Sequence, residues 1–247
     1  MIRLKSKADI EAMRMAGTIL RRALTSAGAA VRPGLTTAEL DELVRASIAG
    51  DGARPAFKGY HGFPGHACIS VNEAVVHGIP GPRALVEGDL VSIDVGVEKG
   101  GYYADACETF AVGRISAQAQ RLLDVTRASL AAGIAQAQPG RRLGDISHAV
   151  QAYVEGHGFS VVRDLVGHGI GWALHEEPQV PNFGEAGKGP ELAVGWVLAI
   201  EPMVNEGREA VRTLADEWTV VTADGKLSAH FEHTVAVTEQ GPVILTA

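Results

Sequence analysis

Apolar residues recur with a helical period from Ser6 to about Ala30, where Ile10, Met13, Gly17, Leu20 and Leu24 fall near one face. Ser6-x-x-Asp9 resembles a capping box at its start, and Pro33-Gly34 ends it. A second helix opens at Thr36-x-x-Glu39, turns Leu40, Leu43, Val44 and Ile48 inward and stops near Gly50. The period then changes to two. A strand region is expected from about Ala67 to Val76, and a strand pair in SIDVGVEKGGYYADACETFAV, Ser92 to Val112. The helical period returns from Ser116 to Ala137, is broken by Pro139-Gly140, and resumes from about Asp145 to Gly156.

The second passage keeps the register of the first. Pro33-Gly34, Leu40, Val44, Ile48 and Gly50 become Pro139-Gly140, Ile146, Val150, Val154 and Gly156, each 106 positions on. Gly88 stands six residues before Asp94 in GDLVSID, and Gly195 six before Glu201 in GWVLAIE. DACETFAV, ending at Val112, resembles EHTVAV, ending at Val237. The pattern implies an internal duplication, approximately 1–112 and 113–247, within one domain spanning residues 1–247. Each half carries two helices followed by antiparallel strands. Two such α-α-β-β halves predict an α+β fold with one curved sheet covered by helices, and a cleft shared by Asp94, Asp105, Glu201 and Glu232.

Those acids alter the reading of the hairpin. A turn centred on Lys99-Gly100 would set Asp94 directly opposite Asp105 on the face of Ser92 and Gly96, with Ile93, Val95 and Val97 on the apolar side. Like charges so placed destabilise a sheet unless a cation lies between them. A divalent metal would serve, while a solvent-facing hairpin with two acids near its tip would need none. The other charged residues in apolar runs favour the metal. Glu201 ends Val197-Leu198-Ala199-Ile200, Glu232 sits mid-strand in LSAHFEHT, and His168 and His175 lie seven apart among the glycines of VGHGIGWALHEEP. A ligand set of four carboxylates and one imidazole favours Mn, Fe, Co or Zn, and its four negative charges balance two divalent ions. Two ions held by shared carboxylates can activate a water near neutral pH.

Fewer signals attach to the remaining histidines. His77 precedes a Gly-x-Pro-Gly turn and fits a turn-capping role equally well. His157 reads as structural at a helix end, His148 as a solvated helix residue, and His230 as a neighbour of Glu232 on the cleft face. Tyr60, His61 and Phe63 occupy a Gly/Pro-rich loop that fits either a substrate pocket or ordinary packing. Composition narrows the setting. The net charge is −7 with no clustered basic patch, which disfavours a nucleic-acid-binding surface. Two cysteines, Cys68 and Cys107, suit a reducing compartment, and the charged start MIRLKSKADIEAM carries no secretory signal pattern. No apolar run approaches a membrane span.

The stretches KGYHGFPGHACISVNEAVVHGIPG, GDLVSIDVG, YYADACETF, VGHGIGWALHEEPQVPNFG, LAIEPMVNEG and SAHFEHTVAVT together resemble the methionine aminopeptidases, from about Leu4 to Leu245. The resemblance implies a pita-bread fold, two divalent metal ions and removal of the initiator Met from nascent polypeptides in the cytoplasm, with the ribosome as a further partner and a monomeric enzyme. It implies metal ligation by Asp94, Asp105, His168, Glu201 and Glu232, with Asp105 and Glu232 bridging. Glu201 also becomes the proton shuttle, His77 and His175 contact substrate and assist catalysis, and Tyr60, Phe63, Cys68 and Trp218 line the methionine pocket. The short interval between Glu201 and Glu232 resembles the bacterial type I form, while Leu174 and Glu217 depart from common members and bear on fine substrate preference. The alternatives are a prolidase or aminopeptidase P-like enzyme of the same fold, or a non-catalytic pita-bread binding protein.

Overall fold

The computed structural model describes residues 2–247. Its first half contains helices α1 (Lys7–Ala30) and α2 (Thr37–Gly50) and strands β1 (Arg54–Pro55), β2 (Cys68–Val71), β3 (Ala74–Val76), β4 (Leu90–Lys99) and β5 (Tyr102–Ala111). The second half contains α3 (Ala117–Ile134), α4 (Leu143–Gly156), β6 (Ser160–Val161), β7 (Val166–Gly169), β8 (Glu176–Pro181) and β9 (Val197–Ile200). It continues through β10 (Met203–Asn205), β11 (Val211–Thr213), β12 (Val220–Thr222), β13 (Ser228–His230), β14 (His233–Thr238) and β15 (Gly241–Ile244).

The helix starts are local chemistry. Ser6 Oγ accepts the Asp9 N–H while Asp9 accepts the Ser6 N–H, and Thr36 and Glu39 repeat the exchange at α2. At α4 only half of the box survives, because Arg142 has no hydroxyl and merely donates its N–H to Asp145. Leu20 and Leu24 of α1 and Leu40, Val44 and Ile48 of α2 are buried against β2, β4 and β5, while Met13 packs in a separate cluster with Phe57, Ile170 and Leu245. Leu43, expected inside, is 41% exposed, since it lies on the flank of α2 that no neighbour covers. Helix α3 stops at Ile134, three residues short of the predicted end, and α2 and α4 match end for end at the expected shift of 106.

Three strand expectations are corrected. The region Ala67–Val76 is two strands, because Asn72 takes a left-handed conformation at φ 59° and turns the chain out of the ladder. The β4–β5 turn is Gly100-Gly101, not Lys99-Gly100. Both glycines have positive φ (61° and 85°), which a two-residue hairpin turn requires and a lysine would resist. The register therefore slides by two residues, setting Asp94 opposite Cys107 and Asp105 opposite Gly96. A two-residue slide preserves the face, so the two carboxylates become diagonal neighbours within side-chain reach. Finally, Glu232 is not mid-strand. The chain leaves the ladder between His230 and His233.

The strands form two principal sheets, β1-β4-β2 with β5 on β4, and β15-β14-β9-β7-β8, rather than one continuous ladder. They meet where β5 faces the β13–β14 segment, through a reciprocal seam. Thr109 Oγ1 donates to the His230 carbonyl (2.7 Å) and accepts its N–H (3.0 Å). Thr234 Oγ1 donates to the Asp105 carbonyl (2.8 Å) and accepts the Asp105 N–H (2.9 Å). Each hydroxyl uses both its donor and its acceptor capacity. Between them the Glu232 N–H donates to the Cys107 carbonyl at 2.9 Å. The seam makes Thr109 equivalent to Thr234 and Asp105 equivalent to His230.

Gly96 sits at the centre of this arrangement. A Cβ there would lie 2.6 Å from the Phe57 ring. Gly96→Val should therefore push Phe57 aside and cost about 1–3 kcal/mol of stability. A urea midpoint equal to wild type would disprove that contact.

Candidate metal centre and adjoining pocket

Five side chains converge on the seam from both halves. Asp94 comes from β4, Asp105 from β5, His168 from β7, Glu201 from the residue after β9, and Glu232 from the gap before β14. Asp105, His168 and Glu232 are each under 9% exposed, and each offers a ligand atom within 4.8 Å of the other two. His168 Nε2 lies 3.5 Å from Glu201 Oε1 and 3.9 Å from Asp105 Oδ2. Its Nδ1 is 2.9 Å from the Gly169 carbonyl, which can only accept. The proton is thus held on Nδ1, and the lone pair of Nε2 faces the carboxylates.

The carboxylates lack partners. Asp94 Oδ1, Asp105 Oδ1 and Glu232 Oε1 are buried with no hydrogen bond. Among the described residues no lysine or arginine pairs with any of the four acids. Burial, and after it the mutual charge of the acids, pushes the carboxyls of Asp105, Glu201 and Glu232 well above their ordinary range. Asp94, chiefly through burial, is raised to about 7. Burial likewise drives His168 down to about 3 and so keeps it neutral. Buried unpaired carboxylates facing an imidazole lone pair fit a divalent cation, and the oxygen-rich donor set suits the borderline metals.

His230 belongs to this group from behind. It is 2% exposed, its unpartnered Nε2 stands 3.7 Å from Glu201 Oε2, and it does not line the cavity, contrary to its expected position on the cleft face.

Above the acids lies a cavity of about 420 Å³. Asp94, Asp105, His168, Glu201 and Glu232 form its polar side. The wall contains all six residues expected from the sequence to contact substrate: Tyr60, Phe63, Cys68, His77, His175 and Trp218. Phe57, His61 and Leu174 complete it. His61 was visible in the sequence only as part of an aromatic loop, and Phe57 carried no signal, since its position depends on the close approach to Gly96. Phe63 meets Trp218 edge to face at 5.1 Å. Burial pushes the Cys68 thiol well up, so it is a neutral part of the wall. His175 packs 4.1 Å from His168, centroid to centroid, and its Nδ1 is 2.8 Å from the Tyr60 hydroxyl. Burial lowers His175 to about 4. His61, His77 and Glu217 hold positive φ (48°, 58° and 65°), a strained choice for residues with a Cβ. His157 and His148, read from the sequence as structural and as solvated, lie away from the cavity. His157 closes α4, bonded to the Tyr153 carbonyl, and His148 is exposed on the same helix.

The chain matches metallopeptidase family M24 over residues 11–239. It is 56% identical to the methionine aminopeptidase of Clostridium perfringens, over 100% of this chain and 99% of that protein. It is 53% identical to methionine aminopeptidase 1 of Bacillus subtilis at the same coverage. The crystal structure of the Thermotoga maritima methionine aminopeptidase superposes with a TM-score of 0.98 at 47% identity, over 100% of this chain and 99% of that one. Prolidase from Pyrococcus furiosus shares the fold, with a TM-score of 0.80 at 24% identity, over 99% of this chain and 65% of that one.

Metal-free protein should be sensitive to pH in a particular direction. The Asp94 carboxyl rises from 3.8 to about 7 on folding, and the other three acids rise too. Folded protein therefore binds extra protons, so the acids favour folding most below about pH 4, and that contribution is lost as pH rises toward 7. Chelated protein should melt at progressively lower temperature across this window. A saturating divalent ion should reverse the loss, by about 2.7 kcal/mol at a hundredfold excess over Kd. Melting temperatures that rise with pH in chelated protein would contradict the burial of these acids.

Proposed function

The chain belongs to metallopeptidase family M24, and on that premise we propose a mechanism for the removal of N-terminal methionine by this site. The enzyme is a hydrolase of the methionine aminopeptidase kind and uses divalent metal. The observation that carries the mechanism is a set of partnerless buried carboxylates on one side of a largely apolar cavity.

In this reading Asp94, Asp105, His168, Glu201 and Glu232 would hold two divalent ions, drawn from Co, Mn, Fe or Zn. When bound, the ions supply Lewis acidity and an activated water. The rest falls to the protein. Tyr60, Phe63, Cys68 and Trp218, with Phe57 and Leu174, take up the methionine side chain by apolar burial and sulfur–aromatic contact. The Tyr60 hydroxyl lies 2.8 Å from His175 Nδ1; with the hydroxyl as donor, the imidazole proton would stand on Nε2 and donate to the substrate carbonyl oxygen as charge develops there. Glu201 moves the proton from water to the leaving amine, and His77 assists at the amide. The free α-amine would be held at the metal-loaded floor, which would limit cleavage to the terminal residue.

The reading takes residues 1–247 as one catalytic unit acting in the cytoplasm on nascent chains. Both cysteines are free and buried, in keeping with a reducing compartment. Prolidase-like chemistry shares the fold, but identities of 53–56% to methionine aminopeptidases favour the methionine reading. A non-catalytic role is disfavoured by the retention of all five acid and imidazole groups.

Two measurements test the mechanism. His175→Ala should keep its metal while kcat falls about 10²–10³-fold, the usual loss for one oxyanion donor. Wild-type kcat in that variant would remove His175 from the chemistry. A Met-Ala peptide should also be cleaved far faster than Met-Ile. A bulky second side chain would push the carbonyl out of line, and about 1 Å of misplacement costs roughly 10²-fold. Equal kcat/KM for the two peptides would refute a size filter.

A further inference from the structure

His175 is carried on a segment with little packing of its own. Between His168 and His175 the chain reads Gly-Ile-Gly-Trp-Ala-Leu; two of its four buried residues are glycines, so Ile170 and Leu174 are the buried positions with a side chain to pack, while Trp172 is half-buried and Ala173 exposed. Ile170 and Gly171 are bonded to Val197 and Tyr103, whereas the amides of Trp172 and Ala173 are held through a contact with the N-terminal segment of the chain. The Lys5 side chain is 2% exposed, and its Nζ lies 2.5 Å from Glu176 Oε2. The other carboxylate oxygen, Glu176 Oε1, accepts the N–H groups of Trp172 (2.7 Å) and Ala173 (3.0 Å). One oxygen is thus neutralised by the N-terminal lysine while the other holds the backbone two and three residues before His175.

The rest of the strap supports this reading. The Lys5 N–H donates to the Gly195 carbonyl at 2.8 Å, which anchors the segment to the second half of the molecule. Ser6 then begins α1 as its cap, so Lys5 is fixed on both sides. Arg3 lays its guanidinium 4.0 Å from the Trp172 ring centroid. Gly171 allows the approach, since a Cβ there would stand 2.2 Å from Lys5 Cε.

We propose that Lys5 is a positioning residue for His175: through Glu176, the N-terminal strap clamps the Trp172–His175 segment and so fixes the imidazole over the metal centre. A buried ion pair is a costly way to gain stability alone, because desolvation cancels most of its attraction. Its bonds to a segment that a catalytic group depends on give it another use. The role rests on the reading of His175 as the carbonyl donor.

The test combines kinetics with hydrogen exchange on the metal-reconstituted full chain. Lys5→Met should lower kcat for a Met-Ala peptide by about 10- to 100-fold, the scale expected for misplacement by about an ångström. KM and metal content should stay near wild type. Exchange at the Trp172 and Ala173 amides should quicken while α1 and α3 keep their protection. Gly171→Ala keeps both charges but presses on the lysine stem, and should give the same pattern; it carries the test if Lys5→Met does not fold. Wild-type kcat, unchanged exchange at Trp172 and Ala173, or a uniform rise in exchange across the molecule would each overturn the positioning role. A wild-type enzyme inert toward Met-Ala would instead overturn the functional reading, and exchange alone would then decide whether the clamp exists.

Discussion

Four acids at the centre of this molecule have no lysine or arginine partner among the described residues, and three of them bury a carboxylate oxygen without a hydrogen bond. In water each would be ionised at neutral pH, but the fold withdraws them from water and from counter-charge together. That arrangement opposes folding unless protons or a cation enter with it. The chain accepts this conflict at one place and surrounds it with sheet whose apolar faces are completely buried. Ile93, Val95 and Val97 behind Asp94, and Val197, Leu198, Ala199 and Ile200 before Glu201, are all within 2% of full burial. The backbone that bears the acids is therefore the least able to yield, and the site can relax only by binding something.

The pseudo-symmetry of the two halves explains how such a site can be assembled. Each half buries its own helix pair against its own sheet, and two smaller clusters, one joining Met13 and Phe63 to Ile170 and Val197, pack between the halves. The halves join beneath the acids at the seam, where Thr109 and Thr234 perform the same reciprocal bonding. The symmetry of the backbone is not matched by the side chains. The position of Asp105 in one half is occupied by His230 in the other, and that of Cys107 by Glu232. Substitution at equivalent positions turns a symmetric scaffold into an asymmetric donor set, with His230 kept behind Glu201 rather than in the cavity.

Floor and wall are built differently. The acids stand on or beside long paired strands, whereas the wall is carried by loops held in unfavourable backbone conformations at His61, His77 and Glu217. Loops of this kind need external support, and here it comes from distant parts of the chain. Asp41 of α2 accepts the N–H groups of His66 and Ala67 at the end of the Tyr60–Phe63 loop. The N-terminal strap supports the segment before His175. Residues that never enter the cavity thus govern its shape.

What the sequence determined alone is what depends on neighbours a few positions apart. The capping boxes of Ser6 and Thr36, the inward faces of α1 and α2, and the alternation that turns Asp94 and Asp105 to one side of their hairpin all arise from bonding and periodicity over at most a few residues. The duplication was legible for the same reason, because a repeated local pattern needs no knowledge of contacts. The methionine aminopeptidase resemblance was carried by contiguous motifs, and it anticipated the residues that gather around the cavity. Tertiary structure decided the rest. The turn at Gly100-Gly101 set the register by two residues because only glycine accepts positive φ cheaply twice in succession. The gap at Glu232 and the withdrawal of His230 follow from a seam between residues more than a hundred positions apart. The places of Phe57 and Lys5 depend on close approaches to Gly96 and Gly171. Such contacts leave no period in the chain, since packing between distant segments is settled by shape and desolvation once the local elements already exist.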